Sequence, residues 1–209
     1  MDTLRISEYL HSLETDRGCL LEDMRDYAVK NDVPIVRRET ESLLRALCAV
    51  KNPESVLEIG TAIAYSTIVF AGYAGKVTTI ENYEKRIVTA KENIRRSGHR
   101  NIELLEGDAT EILKKLRGNK YDIIFLDAAK GQYLNWLPDI MELMDRGSIL
   151  ISDNVLQDGD VMESRYTVDR RERTTHSRMR EFLYEIKHDE RLETAVTPTG
   201  DGVSISVRI

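Results

Sequence analysis

The strongest constraint on the fold is the alternation of apolar segments along residues 55–209. Short apolar runs of strand length alternate with amphipathic stretches of helical spacing. This pattern is typical of a mainly parallel, doubly wound α/β sheet. The predicted strands are 55–59, 76–81, 102–106, 121–127 and 147–152. The predicted helices between them are 65–73, 83–97, 110–116 and 133–144.

The carboxyl-terminal segment breaks this alternation. Two further strand-like runs, LETAVTP and VSISVRI, are separated only by TGDG. That loop is too short for the crossover helix that a parallel pair requires, so the two runs are predicted to form an antiparallel hairpin. The hairpin brings the predicted sheet to seven strands. It also disfavours an NAD dehydrogenase domain, whose sheet more often stays parallel.

The whole chain is predicted to be one domain over residues 1–209, with amino-terminal helices in 1–50 and the α/β core in 51–209. Leu4, Leu10 and Leu13 open the helical part, and Pro34 marks a break within it. Residues of the hydrophobic classes make up 41% of the chain and charged residues 32%, which is a globular composition. The amino terminus lacks the apolar core of a signal peptide, so we expect a cytoplasmic protein that does not enter membranes.

A tight turn after the first predicted strand is the first candidate for ligand binding. EIGTAIAYS places Gly60 between strand and helix, where a small residue lets the backbone approach a ligand closely. A dinucleotide site would need the glycines of GxGxxG to seat a pyrophosphate, and only one of them is present. S-adenosylmethionine carries no phosphate, so this turn suits it better than NAD.

Acidic residues end the next two predicted strands. Glu81 follows Gly60 by 21 residues, a spacing at which a carboxylate accepts both hydroxyl protons of an unphosphorylated ribose. NAD and S-adenosylmethionine share that ribose, so Glu81 does not separate them. Asp108, followed by the small Ala109, is placed to bind an adenine amino group, although a plain helix cap explains it too.

Oxygen-bearing side chains also end the fourth and fifth predicted strands. Asp127 closes YDIIFLD and is followed by Lys130, while Asp153 and Asn154 close SILISDN. Strands of an open α/β sheet present ligands at their carboxyl ends, so these side chains are expected to meet. Three oxygen ligands form a partial shell for Mg²⁺ or another divalent cation. Each residue alone has an ordinary explanation as a cap, a loop start or a solvated charge.

In chain order, EIGTAIAYS, Glu81, GDA, LDAAK followed by Tyr133, and SDN resemble the cation-dependent O-methyltransferase family, which includes the caffeoyl-CoA and catechol enzymes. The resemblance covers about residues 34–209, and LDAAK with the later DN is its most specific part. It implies the Class I methyltransferase variant of the Rossmann-like fold, S-adenosylmethionine as cofactor, and a homodimer. One departure is Ala64, where the family usually has glycine.

The resemblance also implies roles for individual residues. The metal ligands would be Asp127, Asp153 and Asn154. The residues expected to bind S-adenosylmethionine are Val36, Glu58, Gly60, Thr61, Ser66, Glu81, Asp108, Ala109 and Asp127. A metal that chelates two adjacent substrate oxygens would favour the oxyanion that attacks the sulfonium methyl. Lys130 would either stabilise that oxyanion or accept its proton.

An arginine-rich segment, 163–180, lies between the fifth strand and the hairpin. It holds six arginines and one histidine against three acids, in a chain whose net charge is -6. Arginine binds phosphates bidentately and stacks on bases, which favours a nucleic-acid substrate over a solvated helix face. The candidate RNA-binding residues are Arg37, Arg38, Arg165, Arg170, Arg171, Arg173 and Arg178.

RRERTTHSRMREFL in this segment resembles the bacterial branch of the family that methylates 5-hydroxyuridine at the tRNA wobble position. The adjacent 5-hydroxyl and 4-oxo groups of that base would chelate a metal as a catechol does, with the anticodon loop held by the arginines. The first alternative is a small-molecule catechol or acyl-CoA O-methyltransferase. The others are a non-catalytic nucleotide- or RNA-binding module and a Rossmann oxidoreductase.

Cys19 and Cys48 are far apart in the chain and lie in no CxxC or Cys/His cluster. They therefore predict neither a disulfide framework nor a thiolate metal site.

Overall fold

The computed structural model describes residues 3–209, without the side chains of Thr3, Leu4 and Ser7. The first two residues of the predicted helical region, Met1 and Asp2, lie outside the described residues, as does the side chain of the predicted apolar position Leu4.

Seven strands form one sheet in the order β3-β2-β1-β4-β5-β7-β6. The strands are β1 (Ser55–Ile59), β2 (Lys76–Glu81), β3 (Ile102–Glu106), β4 (Tyr121–Leu126), β5 (Met144–Ser152), β6 (Leu192–Thr197) and β7 (Val203–Arg208). Neighbours among β1 to β5 are parallel, and β7 pairs antiparallel with both β5 and β6. The predicted doubly wound sheet with a carboxyl-terminal antiparallel hairpin is confirmed.

Helices precede and connect the strands. They are α1 (Thr3–Ser12), α2 (Cys19–Asn31), α3 (Arg38–Lys51), α4 (Tyr65–Ala71), α5 (Glu84–Ser97), α6 (Ala109–Lys115), α7 (Tyr133–Glu142) and α8 (Arg173–His188). The break predicted at Pro34 falls between α2 and α3. Short 3₁₀ turns cover Lys130–Gln132 and Gln157–Met162.

Apolar side chains from the sheet enter two hydrophobic clusters. One contains Leu57, Ile124 and Leu150 and packs against α6, α7 and α8. The other contains Val56, Ile123 and further residues of α2, α3 and α4. Because consecutive strand residues point to opposite faces, the continuous apolar run of β4 supplies both clusters. The parallel strands are therefore covered on both sides, and their carboxyl ends share one edge.

Within residues 3–209, no helix combines the length and the apolar character that crossing a membrane would require.

Candidate active site

A cavity of about 860 Å³ opens where β1 to β5 end. Nine of the residues singled out in the sequence line it. They are Arg37, Gly60, Glu81, Asp108, Ala109, Asp127, Lys130, Asp153 and Asn154. The shared edge of parallel strands brings together residues separated by more than 90 positions in the chain, as the topology predicts.

The turn after β1 needs a glycine at position 60. Gly60 has φ of +105°, and a Cβ there would lie 2.0 Å from the carbonyl oxygen of Asp127. The Asp127 N–H in turn donates to the carbonyl of Ile59 at 3.0 Å, so the two strand ends are in direct contact. Ala64, where the family usually has glycine, takes a left-handed conformation with φ of +69° at the start of α4. The turn thus forms with alanine at that position.

Glu81 is held in one orientation by backbone amides. Its Oε2 accepts from the N–H of Ala62 at 2.8 Å, and its Oε1 accepts from Asn82 and Tyr83 at 3.0 and 2.9 Å. The residue is 7% exposed and lines the cavity. A carboxylate fixed in this way has lone pairs left for a polyhydroxylated ligand.

Asp108 caps α6, as the simpler explanation predicted. Its Oδ1 accepts from the N–H of Thr110 at 2.8 Å. It also lines the cavity with Ala109, and nearby Trp136 donates from Nε1 to the Thr110 hydroxyl at 3.0 Å. The helix cap uses only Oδ1 of Asp108. Its Oδ2 can therefore still bind a ligand in the cavity.

Lys130 and Asp127 form an ion pair at the end of β4. Lys130 Nζ donates to Asp127 Oδ1 at 2.8 Å and to the Tyr133 hydroxyl at 3.2 Å. The Tyr133 hydroxyl itself donates to the carbonyl of Leu126 at 2.9 Å, which fixes the phenol. Burial works to lower the pKa of Lys130, but Tyr133 and Asp127 outweigh it and raise that pKa above its ordinary value. Lys130 is therefore a cation in this arrangement.

Asp153 and Asn154 follow β5 on the other side of Asp127. Burial and the repulsion of the Asp127 carboxylate raise the pKa of Asp153 to about 7. The Asn154 N–H donates to Asp153 Oδ1 at 2.9 Å, and the Asn154 Nδ2 donates to Asp201 Oδ2 at 2.9 Å. Two carboxylates that repel each other, with an amide beside them, make an oxygen-rich donor set whose charge a cation would offset.

A cation site with three protein oxygen ligands would have to include the side-chain amide of Asn154. Among the described residues, no group of three or more His, Cys, Asp or Glu side chains is placed to hold a metal ion. The donor set of Asp127 and Asp153 supplies two carboxylates, and Asn154 is the third oxygen side chain of the predicted set. It fits a hard divalent cation, which prefers oxygen ligands.

Four residues predicted to bind the cofactor do not line the cavity. They are Val36, Glu58, Thr61 and Ser66. Glu58 is fully buried, and its Oε2 accepts from the hydroxyls of Thr67 and Thr79. Thr61 is also buried and shares a hydrogen bond with Thr79. Glu58 of β1 and Thr61 of the turn are therefore joined through the hydroxyl of Thr79 in β2.

The arginines divide into exposed and engaged groups. Arg165, Arg170 and Arg171 are exposed in the segment that precedes α8, although Arg171 also lies 3.7 Å from the carboxylate of Asp169. The others bond to the protein itself: Arg37 to Asp158 and Asp201, Arg38 to both oxygens of Glu22, Arg173 to the carbonyls of Val168 and Tyr166, and Arg178 to the carbonyl of Gly131. The engaged arginines have structural partners that the sequence pattern did not reveal.

Sequence reasoning missed several cavity residues, of which Asp201 is the most informative. Asp201 lies in the β6–β7 turn and contacts both Arg37 and Asn154. The only feature of the sequence that draws attention to Asp201 is that it has a glycine on each side, in Gly-Asp-Gly. Tyr83 and Arg86, which also line the cavity, carried no distinguishing pattern.

Comparison with protein families gives a match over nearly the whole chain. The family model described as "O-methyltransferase" matches residues 11–209. A catechol O-methyltransferase from Niastella koreensis is 34% identical over 132 residues, which cover 60% of this chain and 58% of that protein. The aligned part thus spans less than two thirds of that relative's length.

Solved structures resemble the chain over almost its full length. A Staphylococcus aureus protein, provisionally described as a caffeoyl-CoA O-methyltransferase, has a TM-score of 0.90 and 32% identity, covering 97% of this chain and 99% of that one. An O-methyltransferase from Bacillus cereus, solved in complex with SAH, has a TM-score of 0.86 and 24% identity, covering 98% and 97%. The second similarity shows the fold alone.

Proposed function

This chain belongs to the O-methyltransferase family, and from that premise we propose that it transfers the methyl group of S-adenosylmethionine to a substrate oxygen beside a divalent cation. One observation carries the proposal: a single cavity contains two groups of polar side chains. The first is Glu81 at the end of β2 with Asp108 just after β3, and the second is Asp127, Asp153 and Asn154. The first group suits an adenosine and the second a hard cation.

Glu81 and Asp108 would hold the cofactor. The three backbone amides that orient Glu81 leave its carboxylate able to accept from the ribose hydroxyls. Asp108 would accept from the adenine amino group, with Ala109 leaving room for the ring. Gly60 allows the strand ends of β1 and β4 to approach closely, which brings this half of the cavity next to Asp127.

Asp127, Asp153 and Asn154 would hold the cation. When bound there, a divalent cation would supply positive charge that favours the ionised form of a substrate hydroxyl. Lys130, fixed by Tyr133 on the same wall and held as a cation, would add a second positive charge that stabilises that oxygen as an anion. The walls of the cavity would then hold the nucleophile and the methyl group at reacting distance.

For the substrate, we propose 5-hydroxyuridine at the wobble position of tRNA. Its support is the exposed set Arg165, Arg170 and Arg171, next to the exposed aromatic ring of Tyr166. These arginines have a planar charge suited to phosphates. A small catechol or an acyl-CoA fits the cavity chemistry equally well. The similarity to a catechol O-methyltransferase and to the Staphylococcus aureus protein favours such a substrate. A homodimer and one domain over residues 1–209 stay predictions.

The deciding experiment offers both substrate classes to one preparation. Labelled S-adenosylmethionine and Mg²⁺ are incubated with total tRNA from a methylation-deficient strain and, separately, with a catechol and with caffeoyl-CoA, each with and without chelator. We expect labelled 5-methoxyuridine that disappears with chelator. Transfer only to the small molecules would overturn the tRNA substrate, and transfer that survives chelation would overturn the cation.

Charge variants test the arginine surface. Replacing Arg165, Arg170 and Arg171 with alanine should weaken tRNA binding and flatten its salt dependence, since each lost phosphate contact lowers the slope by about 0.7–0.9. Arg173 is left intact because it bonds to loop carbonyls. The matched control replaces three exposed arginines elsewhere with alanine. They are Arg95 and Arg96 in the last turn of α5, and Arg100 just after that helix. Equal effects of the two triple variants would contradict a specific surface.

A further inference from the structure

The turn between β6 and β7 is built into the active-site edge. The N–H groups of Val155 and Leu156 donate to the carbonyls of Gly202 and Asp201 at 2.9 and 3.0 Å. Gly202 has φ of +87°, and a Cβ there would lie 2.3 Å from Leu156 Cγ. The turn therefore packs directly on the segment that follows Asp153 and Asn154.

Asn154 has a side chain whose orientation matters for any cation. Its amide ends in one oxygen and one NH₂ group, and only the oxygen is a ligand for a hard cation. A half-turn of the amide exchanges the two ends with almost no change of shape. Some neighbour must therefore select the orientation if Asn154 is to serve as a ligand.

Asp201 is that neighbour. Its Oδ2 accepts from Asn154 Nδ2 at 2.9 Å, so the NH₂ group lies toward Asp201 and the oxygen lies on the other arm of the amide. A carboxylate has acceptors only, which disfavours the flipped amide because two oxygens would then meet. Arg37 contacts the second oxygen of Asp201 and also Asp158, which holds the carboxylate in place.

We propose that Asp201 is a positioning residue, which orients the Asn154 amide so that its oxygen is presented as the third protein ligand of a divalent cation. The inference rests on the cation site of the proposed function. It assigns the Gly-Asp-Gly turn a role beyond connecting two strands. The role of Arg37 is then to hold the Asp201 carboxylate in place with its guanidinium group, and not to bind a substrate phosphate.

The test measures Mn²⁺ binding by calorimetry on the full chain without cofactor or substrate. Asp201→Ala should weaken Mn²⁺ binding about tenfold or more, the usual effect of losing a residue that orients a ligand. The control is Asp158→Ala, which removes a carboxyl group that contacts Arg37 and Asp201 but not Asn154. It should change the affinity by less than about twofold. S-adenosylmethionine affinity should stay unchanged in both variants.

A double-mutant comparison separates orientation from simple charge. Asn154→Asp places a symmetric carboxylate at the ligand position, which needs no orienting partner. Adding Asp201→Ala to that variant should not weaken Mn²⁺ binding further, whereas a role through charge alone predicts the same loss in both backgrounds.

The remaining outcomes are distinguishable. A wild-type chain that fails to bind Mn²⁺ overturns the cation site and this inference with it. Wild-type binding that Asp201→Ala leaves intact overturns the positioning role alone. Loss of S-adenosylmethionine binding in Asp201→Ala would make the turn a general support of the fold and would also overturn it.

Discussion

Glu58 is a buried carboxyl group of β1, two residues before Gly60. The residue has no exposed surface, and the hydroxyls of Thr67 and Thr79 donate to its Oε2. Burial raises the pKa of Glu58 to about 7, although the hydrogen bonds from Ser66, Thr67 and Thr79 work against that rise. Between pH 4.5 and 7 the unfolded chain has lost this proton while the folded protein keeps it. Stability from this group is therefore full at low pH and falls as the pH rises toward 7.

Glu58→Gln should remove this pH dependence, because glutamine has the shape of the protonated acid and does not titrate. The wild-type free energy of unfolding, relative to that of the variant, is expected to fall by about 3 kcal/mol between pH 4.5 and 8, at about 1.4 kcal/mol per pKa unit. Denaturant titrations of both proteins across that range measure the difference. Parallel profiles would show that Glu58 ionises normally.

Cavity residues could be predicted from the sequence where their place follows from the end of a strand. Asp127, Asp153 and Asn154 were identified because parallel strands end at one edge and their side chains carry oxygen. Glu58 was also assigned to the cofactor; it does not line the cavity, its Oε2 accepts from Thr67 and Thr79, and the assignment stays a prediction. Asp201 was missed because its contact with Asn154 exists only after the hairpin folds back beside β5.

At the scale of elements, the strands were predicted better than the arginine-rich segment. The bounds of β1, β2 and β3 agree with the predicted ranges, while β5 begins at Met144, three residues early, because it pairs with Tyr121 through an irregular register. The segment's second half, from Arg173 on, begins α8, and this helix buries a face of His176, Met179, Phe182 and Ile186. The many charged residues of this segment made its apolar helical spacing hard to recognise in the sequence. The same segment therefore contributes both to the core and to the charged surface.

The β6–β7 turn should tolerate no side chain at position 202. Gly202→Ala is expected to destabilise the protein by about 3 kcal/mol, because alanine strains a left-handed backbone and its Cβ meets the side chain and backbone of Leu156. The control is Gly147→Ala, at φ of +85° with open space around the added Cβ, which should lose only about 1 kcal/mol. Chemical denaturation compares them. Equal losses would mean that the turn does not press on Leu156.

At the scale of the whole molecule, a buried carboxylate connects the amino-terminal helices to the α/β core. This carboxylate is Glu41 of α3. Its side chain is 1% exposed and lies among Arg17, Arg25 and Arg45, at N–O distances of 3.6, 3.1 and 2.8 Å. The hydroxyl of Tyr65 in α4 donates to it at 2.7 Å. One residue thus links α2, α3 and the loop between α1 and α2 to the helix that follows the cofactor turn. Helical spacing predicted these helices but not the charge that connects them.

Removing that charge should loosen the amino-terminal helices from the core. Glu41→Gln keeps the shape but leaves the surrounding arginines without their shared anion, so we expect a loss of about 3 kcal/mol in the free energy of unfolding. Glu22→Gln is the control, because the Glu22–Arg38 pair is partly exposed and should contribute less than about 1 kcal/mol. Denaturant unfolding gives both values, and limited proteolysis should cut Glu41→Gln first between α1 and α3. If the two variants lost equal stability, the amino-terminal helices would be held by their apolar contacts alone, and Glu41 would be a replaceable member of the interface.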